Sequence, residues 1–246
     1  MRQTLGQHFL IKGKTLERIA IAACGDGVSL VVEIGPGRGA LTERLLARAE
    51  RVVAIEIDEA LVQYIQDRWS GEPRLEVQKG NALELDLSFW GEGVLAGNLP
   101  YYAATPIISK YVRNPGRLRQ AVFLIQKEVA ERITAKPGTR EYGYLSVECQ
   151  LYTQPEYLFG VQPGAFQPPP KVDSAVIRLT PRPELAVPDP EKFLRFVSAC
   201  FRQKRKMLRN NVPEAPELYG SRRAEQLTMA EFIDCYRIIR SSPAQT

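Results

Sequence analysis

Val31-Val-Glu-Ile-Gly-Pro-Gly-Arg-Gly39 starts as a short apolar, β-branched run, Leu30–Ile34, and stops at three alternating glycines. Ala40–Ala49 follows with Leu41, Leu45, Leu46 and Ala49 at helical spacing, so the passage reads as strand, tight turn and helix. Glycines let a backbone turn sharply and approach a ligand closely. The helix start beyond them offers free N–H groups to negative or polar atoms. A second strand, Arg51–Ile57, runs into Ile55-Glu-Ile-Asp58. It places Glu56 about twenty residues beyond the turn, where an acid can accept ribose hydroxyls. A plain tight turn is the bland alternative, and strand, helix and acid together argue against it.

The same alternation continues outward from this unit. Ala60–Trp69 is predicted as a helix, Leu75–Gln78 and Val94–Ala96 as the third and fourth strands, and Pro106–Val112 as a helix. Ala121–Ile125 is a fifth strand running into a helix through Ile133, Tyr144–Tyr152 a helix, and Tyr157–Val161 and Ala175–Leu179 closing strands. Strands alternating with helices predict an α/β domain with a largely parallel sheet. Pro181, Pro183, Pro188 and Pro190 then fall within ten residues and read as a stiff linker. Beyond it the pattern turns helical. Asp189-Pro190 has the form of an N-cap and N1 proline ahead of Phe193, Phe196, Val197 and Cys200. Thr228-Met-Ala-Glu231 is a capping box opening a last helix with Phe232, Cys235, Tyr236 and Ile239. The division predicted is a catalytic domain over 1–180 and a basic helical domain over 181–246.

Composition narrows the chemistry. The 246 residues carry 33 Lys+Arg and 28 Asp+Glu, a net +5, with four cysteines far apart and His8 alone as histidine. Multi-histidine metal sites are thereby excluded, and no CxxC pair suggests a zinc ribbon or a disulfide framework. With no apolar span and no signal-peptide core, a cytoplasmic protein is expected. Residues 1–170 hold 19 cations and 19 acids, so the excess lies in the last third. Lys192, Arg195, Arg202, Lys204, Arg205, Lys206 and Arg209 occur over 192–213 without an acid. Most charge runs are solvated helix faces. An uncompensated one suits a polyanion partner such as RNA or DNA better.

Asn98-Leu-Pro-Tyr101 directly follows the fourth strand. An exocyclic adenine amine is a poor nucleophile because its lone pair is delocalised into the ring. The Asn98 side-chain carbonyl and the Leu99 backbone carbonyl could accept both of its hydrogens and aim that lone pair. Pro100 stiffens the turn, and Tyr101 offers a ring on which a flipped base can stack. A methyl on a sulfonium then needs only in-line alignment. The attacking nitrogen becomes strongly acidic afterwards, so no histidine base is required.

Nine stretches in order now make the chain resemble the KsgA/RsmA family of small-subunit (16S) rRNA adenine N6,N6-dimethyltransferases. They are Gly6-Gln-His-Phe-Leu10, Glu33–Gly37, Glu56–Asp58, Gly80-Asn-Ala-Leu83, Asn98–Tyr101, Gln126–Arg132, Tyr142–Val147, Phe166-Gln-Pro-Pro-Pro-Lys-Val-Asp-Ser174 and Phe201–Leu208. The resemblance implies a Rossmann-like class I methyltransferase sheet, mostly parallel with its last strand antiparallel. It implies S-adenosyl-L-methionine as cofactor, S-adenosyl-L-homocysteine as product, and rRNA of the immature small subunit as partner to a monomeric enzyme. His8, Leu10, Gly35, Gly37, Glu56, Ile57, Asn81, Ala82 and Asn98 would line the cofactor pocket. In it Gly35 would pass under the methionine part, Glu56 bind the ribose and Asn81 face the adenine. Asn98, Leu99, Pro100 and Tyr101 would form the reacting turn, with Phe166 packing on the target adenine opposite Tyr101. Arg202, Lys204, Arg205, Lys206 and Arg209 would meet the RNA.

Three positions depart from the family pattern: His8 where Asn is frequent, Lys12 where Asp is common, and Asn81 where Asp is usual. Retuned cofactor binding is expected from the amide at 81, and an uncertain start to the following helix from Lys12. Competing readings are a large-subunit rRNA adenine methyltransferase of the macrolide-resistance type and a mainly non-catalytic small-subunit assembly factor. A nicotinamide dehydrogenase, which uses a similar glycine turn, leaves Asn98–Tyr101 without a role.

Overall fold

All of the strands expected from the periodicity form, most of them longer than predicted. The computed structural model describes residues 8–86, 89 and 91–241, so Gly6 and Gln7 of the first motif lie outside the described residues. A short antiparallel pair joins β1 (Phe9–Leu10) to β8 (Phe166–Gln167), with Leu10 opposite Phe166. The main sheet contains β2 (Val28–Ile34), β3 (Ala49–Glu56), β4 (Leu75–Lys79), β5 (Gly93–Asn98), β6 (Leu118–Gln126), β7 (Thr153–Val161) and β9 (Ser174–Pro181). Their order is β4-β3-β2-β5-β6-β9-β7; the first five are parallel, and β9 runs antiparallel to β6. Because β2 is flanked by β3 on one side and β5 on the other, the strand order reverses there. Open α/β sheets hold ligands beyond the carboxyl ends of such strands.

Helices cover both faces. α1 (Gly13–Cys24) and α2 (Ala40–Leu46) bury Leu16, Ile19, Leu41 and Leu45 in one core with Val31, Val52, Val94, Val122 and Val176 of the strands. Strand side chains alternate, so Phe123 points to the opposite face. There it meets Tyr111 of α4 (Ala104–Arg113) edge-on, with centroids 6.2 Å apart. α3 (Glu59–Arg68) starts where Asp58 accepts from the amides of Ala60 and Leu61. α1, which follows Lys12, was in doubt from sequence. It starts at Gly13 with no side-chain cap, and the Lys12 carbonyl takes the Thr15 and Leu16 amides. Its buried stripe of Leu16, Ile19, Ala20 and Ala23 carries a helix whose cap is poor.

The chain divides into two compact units, Met1–Ala130 with Pro155–Pro181, and Glu131–Gln154 with Arg182–Thr246. The sequence put 131–154 with the sheet. α6 (Tyr144–Tyr152) is buried nearly all round rather than along one stripe, and in the second unit it packs against α7 (Pro190–Cys200) and α9 (Met229–Ser241). α5 (Lys127–Thr134) spans the first boundary. Both expected caps form: Asp189 accepts the Lys192 amide at 3.0 Å, and Thr228 and Glu231 exchange hydrogen bonds at the start of α9. Phe201 sits between Tyr142 and Phe232. The basic stretch after Phe201 is not helical. It is a run of turns ending in a bridge between Met207 and Arg223, ahead of the short α8 (Glu217–Gly220). No helix of the described residues is long and apolar enough to cross a membrane.

Candidate active site

The carboxyl ends of β2, β3 and β5 and the segment at β1 enclose a cleft of about 200 Å³ in the first unit. Its shape depends on close backbone approach. A side chain at Gly97 would strike the Ile34 carbonyl at 2.4 Å, so only glycine lets β5 lie so near the end of β2. Gly35 turns the chain with φ +68°, a conformation L side chains rarely adopt.

Two buried carboxyls stand at the polar end. Glu56 accepts Ile57 and Asp58 amides on Oε1, at 2.9 and 3.1 Å, and the Gly37 amide on Oε2 at 3.1 Å. Burial pushes its pKa up, against the pull of the Asp58, Gly37 and Ile57 amides. Oε2, with a single partner, keeps acceptor capacity for a hydroxyl. Glu33 is 1% exposed and accepts the Thr42 hydroxyl at 2.6 Å. Its pKa is pushed up to about 8, by burial first, with the Thr42 hydrogen bond opposing and Glu56 adding.

The turn after β5 lines the same cleft. Asn98 Nδ2 donates to the His8 carbonyl at 3.2 Å, which leaves Oδ1 as the side chain's acceptor. The Leu99 amide is taken by the Leu124 carbonyl at 3.0 Å, and the Ala103 amide by Pro100. Tyr101 shares a 2.8 Å hydrogen bond with fully buried Ser174, and burial raises its phenol pKa. His8 Nδ1 donates to the Pro168 carbonyl at 2.8 Å, its ring 5.8 Å from that of Tyr101. That nitrogen is committed to a carbonyl rather than available for proton abstraction.

His8, Leu10, Gly35, Gly37, Glu56, Ile57, Asn81, Ala82, Asn98, Leu99, Pro100 and Tyr101, expected from five separate parts of the sequence, all line this cleft. Phe166 does not. It is 3% exposed and sits in the apolar core with Leu10, its partner across the β1–β8 pair, while Gln167 reaches the cleft. Asn81 builds its own turn, accepting the Leu83 amide and donating to Glu84. Thr42, Ser174 and Tyr102 take part unforeseen. Only Tyr102 carried a local signal, as a second aromatic beside Tyr101, and it lies exposed on the cleft wall.

The basic turn belongs to the second unit. Arg202, Arg205, Lys206 and Arg209 are exposed and make no ion pair among the described residues. Lys204 differs. Its ammonium donates to the Arg140 carbonyl and lies 3.7 Å from Glu225, so it braces the turn instead of standing free.

A family model for ribosomal RNA adenine dimethylase matches residues 1–239. Ribosomal RNA small subunit methyltransferase A of Acidobacterium capsulatum is 44% identical over 218 residues, covering 86% of this chain and 77% of its own. A solved dimethyladenosine transferase from Plasmodium falciparum is similar with a TM-score of 0.83 at 25% identity, over 95% of this chain and 98% of its own. The 23S rRNA methyltransferase ErmE is similar with a TM-score of 0.79 at 26% identity, over 95% of this chain and all of its own.

Proposed function

The chain belongs to the ribosomal RNA adenine dimethylase family, and we propose that it dimethylates N6 of two adjacent adenosines in the 3′-terminal stem-loop of small-subunit rRNA. The observation that carries this reading is the committed Asn98 amide: with Nδ2 held by the His8 carbonyl, Oδ1 of this cleft-lining residue is left as its acceptor. Unpaired loop bases can be turned out more cheaply than duplex bases, by about a few kcal/mol.

The cleft fits S-adenosyl-L-methionine. Glu56 keeps an acceptor for ribose hydroxyls, Gly35 exposes backbone where a side chain would intrude, and Ile57 and Ala82 offer apolar surface to a purine. The bound cofactor supplies a methyl group on an electrophilic sulfonium. Asn98 Oδ1 and the Leu99 carbonyl accept the two N6 hydrogens of the target adenine and direct its lone pair. Tyr101, anchored through its hydroxyl, presents its ring to the base, and Pro100 limits the motion of the turn. No side chain removes a proton, which water takes from the acidic product. Arg202, Arg205, Lys206 and Arg209 meet RNA phosphates, and the enzyme works as a cytoplasmic monomer.

Transfer of tritiated methyl groups to undermethylated small subunits, with the modified bases mapped, tests the reading. Label on two adjacent adenosines near the 3′ end supports it. Label on large subunits alone would instead favour the macrolide-resistance type of activity. Binding to small subunits without transfer would favour an assembly factor.

A further inference from the structure

Lys110 lies two turns into α4, the helix that leads out of the Asn98–Tyr101 turn. Its ammonium crosses to the connection between β4 and β5, donating to the Ala82 carbonyl at 3.1 Å and to the Leu85 carbonyl. That connection carries Asn81 and Ala82, both on the cleft wall. Of 81–86 only Ala82 is buried, so apolar packing does little to hold the segment. Its inner bonds, Leu83 amide to Asn81 Oδ1 and Glu84 and Leu85 amides to the Asn81 carbonyl, shape the turn without tying it to the sheet. Two attachments bracket it. The Gly80 amide reaches the Glu56 carbonyl at 2.9 Å, and Lys110 takes two carbonyls beyond. Burial lowers the Lys110 pKa, while Asp86 and Glu84 oppose that shift and favour the charged form.

We infer that Lys110 is a positioning residue for the cofactor: it fastens the 81–85 turn to the helix leaving the catalytic turn, holding ready the surface that receives the adenine. The inference rests on the proposed cofactor reading. Ordering a lightly packed segment at the moment of binding would subtract from affinity, and the tie made by Lys110 reduces that cost. One cation thereby joins the adenine-facing wall to the element that follows Asn98.

Calorimetric titration of the full chain with S-adenosylhomocysteine tests this. Lys110→Met keeps the stem and removes the donors; it is expected to weaken binding about tenfold. Its kcat at saturating cofactor should stay within about twofold and the KM for RNA should not move, because neither needs the turn once ligand has ordered it. Lys110→Arg restores most of the affinity. Wild-type affinity in a folded Lys110→Met protein overturns the inference, as does a loss in kcat at unchanged affinity. Should Lys110→Met not fold, Lys110→Leu, which also lacks the donors, is read by the same criteria. Failure of the wild-type chain to bind S-adenosylhomocysteine overturns the cofactor reading itself, and appears before any variant is made.

Discussion

Asn98 and His8 are ninety residues apart, and the Asn98 amide nitrogen donates to the His8 main-chain carbonyl at 3.2 Å. One hydrogen bond thus ties the turn after β5 to the segment leading into β1. It also commits the nitrogen end of a nearly symmetric amide and leaves Oδ1 as the acceptor. The histidine at 8 contributes a carbonyl here, which any residue could supply, while its ring is held by Pro168. This accounts for a departure from the family pattern at position 8 that leaves the Asn98 contact in place.

Asn98→Ala should lower methyl transfer by about 10²–10³-fold, the scale of losing one preorganised hydrogen-bonding group at a reacting centre. RNA affinity should stay within about twofold, since binding is carried mainly by phosphate contacts. Asn98→Asp is the sharper comparison. It keeps an acceptor for the substrate but sets a second oxygen against the His8 carbonyl, so its rate should fall between wild type and Ala. Single-turnover transfer and filter binding on the same preparations measure both effects. Undiminished transfer by Asn98→Ala would remove the assigned role.

Tyr101→Phe keeps the ring and removes the partner of Ser174 Oγ, which is fully buried. An unsatisfied buried hydroxyl costs about 1–3 kcal/mol. Urea unfolding should therefore show a loss in that range, with transfer reduced only a few-fold. Tyr101→Ala should suffer further in transfer, having lost the stacking surface as well. Equal activity in Phe and Ala variants would show that the ring does not contact the base.

The glycine turn, Glu56 and the Asn98 turn were legible because each combines unusual residue types with a fixed place at a strand end. The Thr228–Glu231 cap was legible because its bonds close within four residues. Phe166 lies in the core and Gln167 on the cleft wall, a placement that the motif alone does not give because it names residues without their burial. Lys204 carries the same charge as Arg205, and only the Arg140 carbonyl and Glu225, 64 residues back and 21 residues on, distinguish a brace from a free cation. α6 was placed correctly in sequence, but all-round burial does not say which elements provide the cover. Lys110 acts across 25 residues and left no local pattern, and Ser174 closes the Phe166 stretch but its bond to Tyr101 spans 73 residues.

The basic turn predicts different outcomes for adjacent residues. Arg205→Ala and Lys206→Ala together should weaken RNA binding and reduce the slope of log affinity against log salt. Each lost phosphate contact contributes about 0.7 to that slope on single strands and about 0.9 on duplex. Lys204→Ala should leave the slope nearly unchanged and lower the stability of the second unit by about 1 kcal/mol, mainly through the Arg140 carbonyl. A salt titration and a thermal melt of each variant separate the two effects. A slope unaltered by the double substitution would take the RNA contact away from this turn.

Glu33 makes stability depend on pH. Its folded pKa of about 8 lies above the 4.5 of an ordinary glutamate. As pH rises from 4.5 to 8, the unfolded chain loses this proton while the folded chain retains it, so stability falls through that window and levels off above it. Glu56, also shifted upward, adds in the same direction. Gln at position 33 cannot ionise and can still accept from Thr42. Glu33→Gln should therefore gain on wild type steadily between pH 5 and pH 8 in urea unfolding, with the difference constant at higher pH. Cys24 does not confound this window, because burial pushes its thiol up to about 11. A difference independent of pH would mean that Glu33 ionises normally in the folded protein, with its charge balanced inside the cleft.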